Sequence, residues 1–452
     1  FNNIWYYVSG EHLGNSANAT TGAAYQGTGI YKSIDNGLTW SRIIESNDLE
    51  VTSIAPLDYI SNVAVNPLNG DVYFSASSGI LRIKPVFPTV LELVLDANLS
   101  FMTDVKISPT GKIYATVSKE DGVDGSGVNI NINAGILVSD DGNIWNNITP
   151  PTLLDGSVAF GRAIIDIDPS NENNVWFFAD NLIPNTNEYL WKYQVDTNTW
   201  SDRSAGIPTN LGDVGKMETQ QGYNMLLKVH PNNSDIVFLG GTNLYRSNNG
   251  FTNNPGKAGW IGGYNTTSGY AQYANHHPDQ HNLLFFPSNP SKALSANDGG
   301  VQITQDILQG ATIWTSLNNG YLTTQPYAVS FNPNGNDNAL LAGFQDTGSW
   351  YTSSNNLQDP WTSKFNGDGS YNAIADNLAT LYVSSQNGNA YRFHYDENTD
   401  TNSFARITPD ITTGGFDYIT PFILDHNNDN IINMPSGGSM LVMKCDPEGE
   451  VD

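Results

Sequence analysis

The sequence predicts an all-β protein built from repeated antiparallel hairpins, and three observations support this fold class. The first is a pair of apolar strands joined by a Pro-, Asn- or Gly-rich turn, which recurs from residues 63, 105, 165, 227, 284, 329, 373 and 422. The second is a tryptophan after most hairpins, with gaps of 55, 60, 54 and 47 residues from Trp145 to Trp361. The third is that no 3.6-residue apolar period is sustained, which argues against a helical solenoid.

The repeat length indicates the architecture. One four-stranded propeller blade needs about fifty residues, so the hairpins predict a β-propeller with about eight antiparallel blades visible. The propeller is expected to occupy residues 1–433 and to be incomplete at both ends. The opening "FNNIWYYVSG" starts at the second strand of a hairpin. The segment 434–452 loses the Asn-rich pattern and is expected to be a linker or a tag-like tail.

Composition excludes several classes of partner. Nineteen Lys and Arg face 45 Asp and Glu in 452 residues, a net charge of −26, so nucleic acid and anionic membranes would be repelled. The sequence contains no apolar run of 18 residues, so no membrane insertion is expected. The single cysteine, Cys445, cannot form an internal disulfide.

The stretch "SIDNGLTW" (33–40) predicts a structural turn, with a second copy in "SDDGNIW" (139–145). Asp35 is expected to accept backbone N–H groups, Gly37 to adopt positive φ, and Trp40 to pack beneath the hairpin. These copies resemble the Asp-box repeat of sialidases, sortilin-type receptors and two-propeller xyloglucanases. The structural residues are Ser33, Asp35, Gly37, Trp40, Ser139, Asp141, Gly142 and Trp145.

The candidate site residues lie in the segments 276–301, 343–350 and 365–376. The ends of the innermost strands face the axial funnel of a propeller, so residues a full repeat apart can converge there. The candidate ligand-binding residues are His276, His277, His281, Gln345, Trp350 and Tyr351.

The ordered set His-x-Asp-x-His, Asn-Asp-Gly-Gly, Gln-Asp-x-Gly and Gly-Asp-Gly resembles a family of secreted Bacteroidetes proteins with sortilin-like Asp-box propellers. The resemblance covers most of residues 1–433. It implies export through the type IX outer-membrane secretion machinery and a location outside or on the surface of a Gram-negative bacterium. Members are often labelled glycosyl hydrolases by repeat similarity alone.

Three interpretations of the site remain open. Asp279, His281 and Asp298 could hold a metal ion, for which Ca²⁺ is the candidate, or could serve as turn formers, which is the interpretation that the sequence favours. Hydrolysis of a glycoside would need two carboxylates about 5–9.5 Å apart. Its candidate catalytic residues are Asp279, Asp298, Asp346 and Asp368.

The third interpretation is a noncatalytic binding or display module for an extracellular glycan or a surface protein. In this case the propeller is a rigid scaffold, and the funnel or the long loops 9–29 and 118–133 carry recognition. This is the function expected from the sequence. The endo-acting glycoside hydrolase with paired axial carboxylates is the alternative.

Overall fold

The computed structural model describes fifteen stretches of the chain, and the statements below concern these residues. They are 3–12, 25–45, 57–97, 102–118, 134–153, 160–182, 188–208, 215, 217–265, 272–320, 324–332, 338–375, 379–396, 401–408 and 415–444. Most of both predicted recognition loops, and Cys445, lie outside them. The chain divides into two compact units, unit 1 (Phe1–Leu317) and unit 2 (Asn318–Asp452).

Unit 1 contains six antiparallel sheets. The first has three strands, β1 (Trp5–Val8), β2 (Gly29–Ser33) and β3 (Ser41–Glu45). The second and third each have four: β4 (Ile60–Val65), β5 (Val72–Ala76), β6 (Gly79–Lys84) and β7 (Phe87–Asp96), then β8 (Thr103–Ile107), β9 (Ile113–Val117), β10 (Gly135–Ser139) and β11 (Asn146–Asn147).

The other three sheets of unit 1 also have four strands each. The fourth contains β12 (Phe160–Ile167), β13 (Asn174–Asn181), β14 (Tyr189–Gln194) and β15 (Thr199–Asp202). The fifth contains β16 (Leu226–His230), β17 (Asn233–Gly240), β18 (Leu244–Ser247) and β19 (Trp260–Gly262). The sixth contains β20 (Gln280–Phe286), β21 (Asn289–Asn297), β22 (Gly300–Thr304) and β23 (Thr315–Ser316).

Unit 2 contains three further sheets. Two have four strands, β24 (Pro326–Phe331), β25 (Leu340–Phe344), β26 (Gly348–Thr352) and β27 (Thr362–Phe365), then β28 (Asn372–Ile374), β29 (Thr380–Ser384), β30 (Ala390–Asp396) and β31 (Thr401–Arg406). The last has three, β32 (Ile423–Asp425), β33 (Asn428–Ser436) and β34 (Ser439–Lys444). The described helices are short 3₁₀ turns at Pro151–Leu153, Ser204–Gly206, Lys257–Gly259 and Gln386–Gly388.

The hydrophobic core lies between neighbouring sheets. Trp176 and Phe178 of the fourth sheet pack with Leu239 and Tyr245 of the fifth in one buried cluster. Phe238 of the fifth sheet shares the next cluster with residues of the sixth. A central strand such as β9 is therefore covered on both faces, and all five of its residues are buried. This explains why the second strands β5, β9 and β29 are buried along their whole length, whereas β21 and β33 alternate.

The fold is a β-propeller, as the sequence predicts. In unit 1 the strands β4, β8, β12, β16 and β20, the first of each four-stranded sheet, lie side by side in that order. In each meander the first strand begins at the end where the second and third strands join, and the third and fourth strands join at the opposite end. The eight predicted hairpins each belong to a different sheet. The opening segment forms one further sheet, the three-stranded first sheet.

The segment 434–444 corrects one expectation. It was expected to be a tail outside the fold, but β33 extends through Met434 and pairs with β34 up to Lys444. Met434 and Met443 are buried in the core shared with the preceding sheet. The Gly437–Gly438 pair, which resembles a linker in the sequence, turns this hairpin, and both glycines have positive φ.

Candidate functional site: the axial funnel of unit 1

A cavity of about 260 Å³ opens at the end of unit 1 where the first strands begin. It is lined from successive sheets by Gly10, Glu11, His12, Tyr59, Ile60, Ser61, Met102, Thr103, Arg162, Tyr223 and His281. A second cavity of about 160 Å³ shares Ser61, Thr103, Arg162 and His281 with it and extends along the first strands to Lys106 and Lys228. We call the first cavity the axial funnel.

Asp298, His281 and Tyr223 form a hydrogen-bonded cluster at the funnel. The Tyr223 hydroxyl lies 3.0 Å from both carboxylate oxygens of Asp298 and donates to them. Nε2 of His281 lies 2.5 Å from Oδ1 of Asp298, an ion pair when the imidazole is protonated. The Asp298 side chain is 7% exposed and the His281 side chain 35% exposed. The carboxylate is therefore shielded, while the imidazole faces the cavity.

The sequence "NDGG" explains the position of Asp298. Asp298 and Gly299 form a two-residue loop between β21 and β22, and Gly300 has a φ of 106°. A Cβ at Gly299 would meet the His277 ring, so only glycine allows this approach. The Asp298 carboxylate thereby reaches Tyr223 and His281.

Arg162 brings a guanidinium group to the base of the funnel. Its Nη1 donates to the carbonyl oxygens of Gly222 at 2.8 Å and Tyr223 at 3.2 Å. Within the described part of the chain its Nε and Nη2 make no hydrogen bond, and the residue lines both cavities. Burial lowers the pKa of Arg162, and the charges of Asp104 and Glu11 oppose this effect. Arg162 therefore keeps N–H donors directed at the cavity.

Glu11 supplies a carboxyl group on the other side of the funnel. Its backbone forms two hydrogen bonds with Tyr25, of 2.8 and 2.7 Å, which fix the segment after β1. Its carboxyl group accepts no hydrogen bond from the residues that the structure describes. The surrounding protein and the negative charge of Asp298 raise the pKa of Glu11, while His281 and Arg162 lower it.

The turn 219–224 positions Tyr223. Gln220, Gln221 and Gly222 all have positive φ, a backbone strain that must be held by other contacts. Thr219 donates from its hydroxyl to Asp180 and from its N–H to Glu188 at 3.2 Å. Burial raises the pKa of both Asp180 and Glu188.

Asp279 holds the other end of this turn, since its Oδ1 accepts from Nδ2 of Asn224 at 2.7 Å. It is buried and has a φ of 63°. Asp279 therefore supports the turn that carries Tyr223, and it is not among the residues that line either cavity.

Aspartates along the axis join neighbouring first strands. The Oδ1 of Asp104 accepts from Asn62 at 2.6 Å, and its Oδ2 accepts from the N–H of Ile165 at 2.8 Å. Asp166 repeats this pattern by accepting from the N–H of Val229 at 2.8 Å. These contacts fix β4, β8, β12 and β16 side by side, and with them the funnel walls.

His276 and His277, two of the candidate ligand-binding residues, lie away from the funnel. His276 is buried under Trp314, with ring centroids 4.4 Å apart, and its Nε2 contacts the Ser295 hydroxyl at 2.9 Å. Burial lowers the pKa of His276 to about 3, so the ring is neutral and belongs to the core. His277 is half-buried, with Nδ1 3.0 Å from the Pro278 carbonyl oxygen. Neither histidine lines the funnel.

The remaining candidates lie in unit 2. The buried Asp368 accepts from the N–H of Asp346 at 2.9 Å and from the Tyr418 hydroxyl. The N–H of Gln345 donates to the carbonyl oxygen of Gln325 at 3.0 Å. Two aromatic candidates are packed locally: Trp350 donates to Thr347, and Tyr351 lies under the Lys364 ammonium, 5.2 Å from its ring centroid. Asp368 thus braces a turn.

The two serine–aspartate turns have the expected geometry. The N–H of Thr39 donates to Asp35 at 2.9 Å, and the N–H groups of Asn143 and Ile144 donate to Asp141 at 2.8 and 2.9 Å. Hydrogen bonds from Thr39 lower the pKa of Asp35 to about 2, and the backbone bonds lower that of Asp141 to about 2.

The tryptophans of these turns differ. Nε1 of Trp145 donates to the carbonyl oxygen of Val94 in the preceding sheet at 2.9 Å, whereas Trp40 donates to Gly37 in its own turn and is 43% exposed. Trp145 thus contributes to contacts between sheets. The Asp141 turn joins β10 to β11, the third and fourth strands of their sheet, and the Asp35 turn joins the last two strands of the first sheet, β2 and β3. Both turns therefore lie at the end of unit 1 opposite the funnel.

The described residues offer no metal centre: no three His, Cys, Asp or Glu side chains among them are grouped to hold an ion. Asp279 contacts Asn224, whereas Asp298 contacts His281, so the proposed trio of ligands is divided.

Sequence reasoning missed Glu11, Arg162 and Tyr223 as funnel residues. One signal existed: Ser61, Thr103 and His281 each lie six residues before the proline of their hairpin turn. Arg162 lies seven residues before Pro169, and the pairing of β12 with β13 shifts register between Phe160 and Ala163. An alignment of the repeats would therefore have placed Ala163, not Arg162, in the funnel.

Comparison with known proteins supports the fold. No family model matches the sequence, and no curated protein matches it. The structure is similar to a GH74 enzyme of Niastella koreensis, with a TM-score of 0.50 and 15% identity over 97% of this chain and 68% of that one.

Two further solved structures are similar at lower scores. The GH74 xyloglucanase of Xanthomonas campestris gives a TM-score of 0.49 and 14% identity over 97% and 71% of the two chains. The Dos1 propeller gives 0.38 and 12% over 84% and 87%. At these identities the likeness concerns the fold alone. No helix among the described residues has the length and hydrophobicity to cross a membrane.

Proposed function

We propose that this protein is a binding module that takes a sugar ring of an extracellular glycan into the axial funnel. The observation that carries the proposal is the convergence of Glu11, Arg162 and His281, from three different sheets, on one cavity. A sugar hydroxyl both donates and accepts hydrogen bonds, so it matches a cavity that offers a carboxyl acceptor opposite guanidinium donors.

The size of the funnel supports a small ligand. Its volume of about 260 Å³ lies just below the range of about 300–1,000 Å³ for drug-sized ligands. The rings of His12 and Tyr59 add apolar surface to one wall of the funnel. They form a T-shaped pair with centroids 5.4 Å apart. One sugar ring at a chain end or branch is the ligand that this combination favours.

A glycan array tests the proposal. The wild type is compared with Asp298→Asn, which weakens the support of His281 and Tyr223, and with Asp141→Asn, a matched change at the opposite end of unit 1. We expect Asp298→Asn to lose the signal and Asp141→Asn to retain it. Equal signals from both variants would remove the funnel from consideration.

We also propose that the protein works outside the cell or on the surface of a Gram-negative bacterium. Support comes from the resemblance of its sequence pattern to secreted propellers, which implies export by the type IX machinery. Fractionation of a producing strain and of a strain without this machinery tests the route. Retention of the protein in the second strain is the expected result, and unchanged release would contradict it.

A second candidate function, endo-acting glycoside hydrolysis, is favoured by one observation. Glu11 lines the cavity, Asp298 lies one hydrogen bond behind His281, and the raised pKa of Glu11 suits a general acid. Assay of new reducing ends on any polysaccharide that binds separates the functions. Hydrolysis that is lost in Glu11→Gln would favour the enzyme, and binding without hydrolysis would favour the binding module.

A further inference from the structure

We infer that the sugar bound in the axial funnel carries a carboxylate, as a hexuronate does, and that Arg162 binds this carboxylate. The inference rests on the proposed function and names the class of its ligand. It follows from the unused donors of Arg162, from the way the charge of Asp298 is shielded, and from the position of Glu11.

Arg162 is the group that requires an anionic partner. A guanidinium group has five N–H donors in a planar fork, and among the described residues only Nη1 has hydrogen-bond partners, two backbone carbonyl oxygens. Those carbonyls fix the plane of the fork. No carboxylate within the described residues forms a salt bridge with Arg162, although the chain carries an excess of acidic groups. Nε and Nη2 are the adjacent edge that binds a carboxylate with two parallel hydrogen bonds.

Asp298 does not oppose such a ligand strongly. Its two oxygens accept from the Tyr223 hydroxyl, and Oδ1 also contacts His281. Its side chain is almost completely covered. When His281 is protonated, the pair is neutral, and a bound carboxylate then faces the positive charge of Arg162.

Asp104 and Glu11 are the negative groups whose charges act on Arg162. Both oxygens of Asp104 accept hydrogen bonds from neighbouring strands, so Glu11 is the group that makes the interaction depend on pH. His281, Asp298 and Arg162 face it across the cavity. His12, Asp58, Tyr59 and Tyr25 border it on its own side. Because the pKa of Glu11 is raised, its negative charge is lost at a higher pH than that of an ordinary glutamate. Affinity for a hexuronate should therefore rise as the pH falls through this pKa.

The surroundings favour a sugar acid over a peptide carboxylate. Hydroxyl groups of a ring can bond to Ser61, while the His12 and Tyr59 rings can cover its apolar face. The limited volume admits one ring rather than an extended chain. Binding of a C-terminal peptide acid in place of the sugar is an outcome that the experiment must exclude.

Isothermal titration calorimetry with paired sugars tests the inference. Galacturonate and glucuronate, and their short homo-oligomers, are compared with galactose and glucose oligomers and with an acetylated dipeptide carrying a free carboxylate. The proteins are the wild type, Arg162→Gln and Glu11→Gln, each checked by its thermal unfolding midpoint. Glu11 makes no side-chain hydrogen bond within the described residues, so its variant should fold.

We expect an acidic sugar to bind better than its neutral counterpart, and Arg162→Gln to remove this preference. Glu11→Gln should tighten acidic-sugar binding about fivefold or more at pH 8, since it removes a like charge in a partly shielded cavity. A neutral ligand would instead lose an acceptor and bind more weakly. The opposite responses distinguish charge recognition from damage to the fold.

Three outcomes would overturn the inference. Tight binding of neutral sugars without preference for the acids would leave the proposed function standing and remove its acidic ligand. Weaker acidic-sugar binding by Glu11→Gln would show that Glu11 is a ligand contact and not a repelling charge. Binding of the dipeptide alone, or of none of these probes, would remove the glycan function and the inference together.

Discussion

Asp141 and Asp298 lie at opposite ends of unit 1 and are held in different ways. Asp141 accepts from N–H groups two and three residues further along the chain. Asp298 accepts from side chains 75 and 17 residues away. The turn of Asp141 is thus complete within one short segment, whereas the surroundings of Asp298 exist only after several sheets have packed. The same residue type therefore serves architecture at one end and a candidate site at the other.

The ionisation of the carboxyl groups follows this difference. Local hydrogen bonds lower the pKa of Asp35 and of Asp141 to about 2. Surrounding protein raises the pKa of Glu11 in the funnel and of Asp180 and Glu188 behind it. The turn carboxylates stabilise the fold when they are charged. The carboxyl groups near the funnel are partly desolvated, so their charged forms are disfavoured.

The largest expected effect comes from the packing between sheets. The funnel depends on this packing more than the turns do. Trp314 is 2% exposed, and its Nε1 donates to Ile261 in the neighbouring sheet at 2.8 Å. Trp314→Ala should lower the free energy of unfolding by about 3–5 kcal/mol because it leaves a cavity beside His276. Urea denaturation measures this, with Ile313→Ala as the matched control. Ile313 is 68% exposed, so its variant should change stability by no more than about 0.5 kcal/mol.

A smaller effect is expected from Tyr223→Phe, which removes the hydroxyl that reaches Asp298. The free energy of unfolding should fall by about 1–2 kcal/mol, and binding in the funnel should weaken, because a carboxylate loses a donor. Tyr193→Phe is the control, since that hydroxyl donates to the neutral Asn198 at 2.7 Å away from the funnel. Calorimetric titration on both variants checks the prediction, and equal ligand affinities would contradict it.

Glu188→Gln should stabilise the protein at pH 7 by an amount of the order of 1 kcal/mol. The folded pKa of Glu188 is raised above its unfolded value of about 4.3, so the wild type loses stability as the pH rises through the folded pKa. The variant removes this loss and keeps an oxygen for the N–H of Thr219. Thermal midpoints at pH 4 and pH 7 measure it: the gain should be present at pH 7 and absent at pH 4. A gain of equal size at both values would contradict burial of charge as its cause.

The smallest effect is expected from Asp141→Asn, because the amide oxygen can still accept the two N–H groups. The pKa of Asp141 falls from about 3.9 in the unfolded chain to about 2 in the fold. Its charged form therefore stabilises the protein above about pH 4, and this contribution disappears as the pH falls through about 2. Thermal midpoints of variant and wild type should differ at pH 7 and converge near pH 2. Altered ligand binding by this variant would break the separation of the two regions.

Much of the fold could be predicted from the sequence because each repeat carries its own local rules. The eight hairpins and both serine–aspartate turns depend on residues a few positions apart. Segment 434–444 was predicted wrongly, since its Gly-Ser composition resembles a linker, and only the burial of Met434 and Met443 reveals a hairpin.

Of the candidate site residues, His281 lines the funnel and Asp298 supports it through a hydrogen bond, while His276 and Asp279 do not line it. A high density of histidine and aspartate in a short segment indicates a candidate functional site. It does not distinguish a histidine buried in the core from one that faces a cavity. Arg162 was missed because no other candidate lies near it in the sequence, and Glu11 because the loop 9–29 was considered only as a whole.

By itself the sequence determined the all-β class, the repeat and the turn carboxylates, since backbone hydrogen bonding and side-chain period act over a few residues. The tertiary structure decided which side chains meet at the axis. Arg162 lies in a register shift near the start of β12 and lines the cavity, and the strained turn 219–224 presents Tyr223 to Asp298. Such contacts join residues up to 75 positions apart, and they form only when the packed faces of neighbouring sheets fix where each first strand begins.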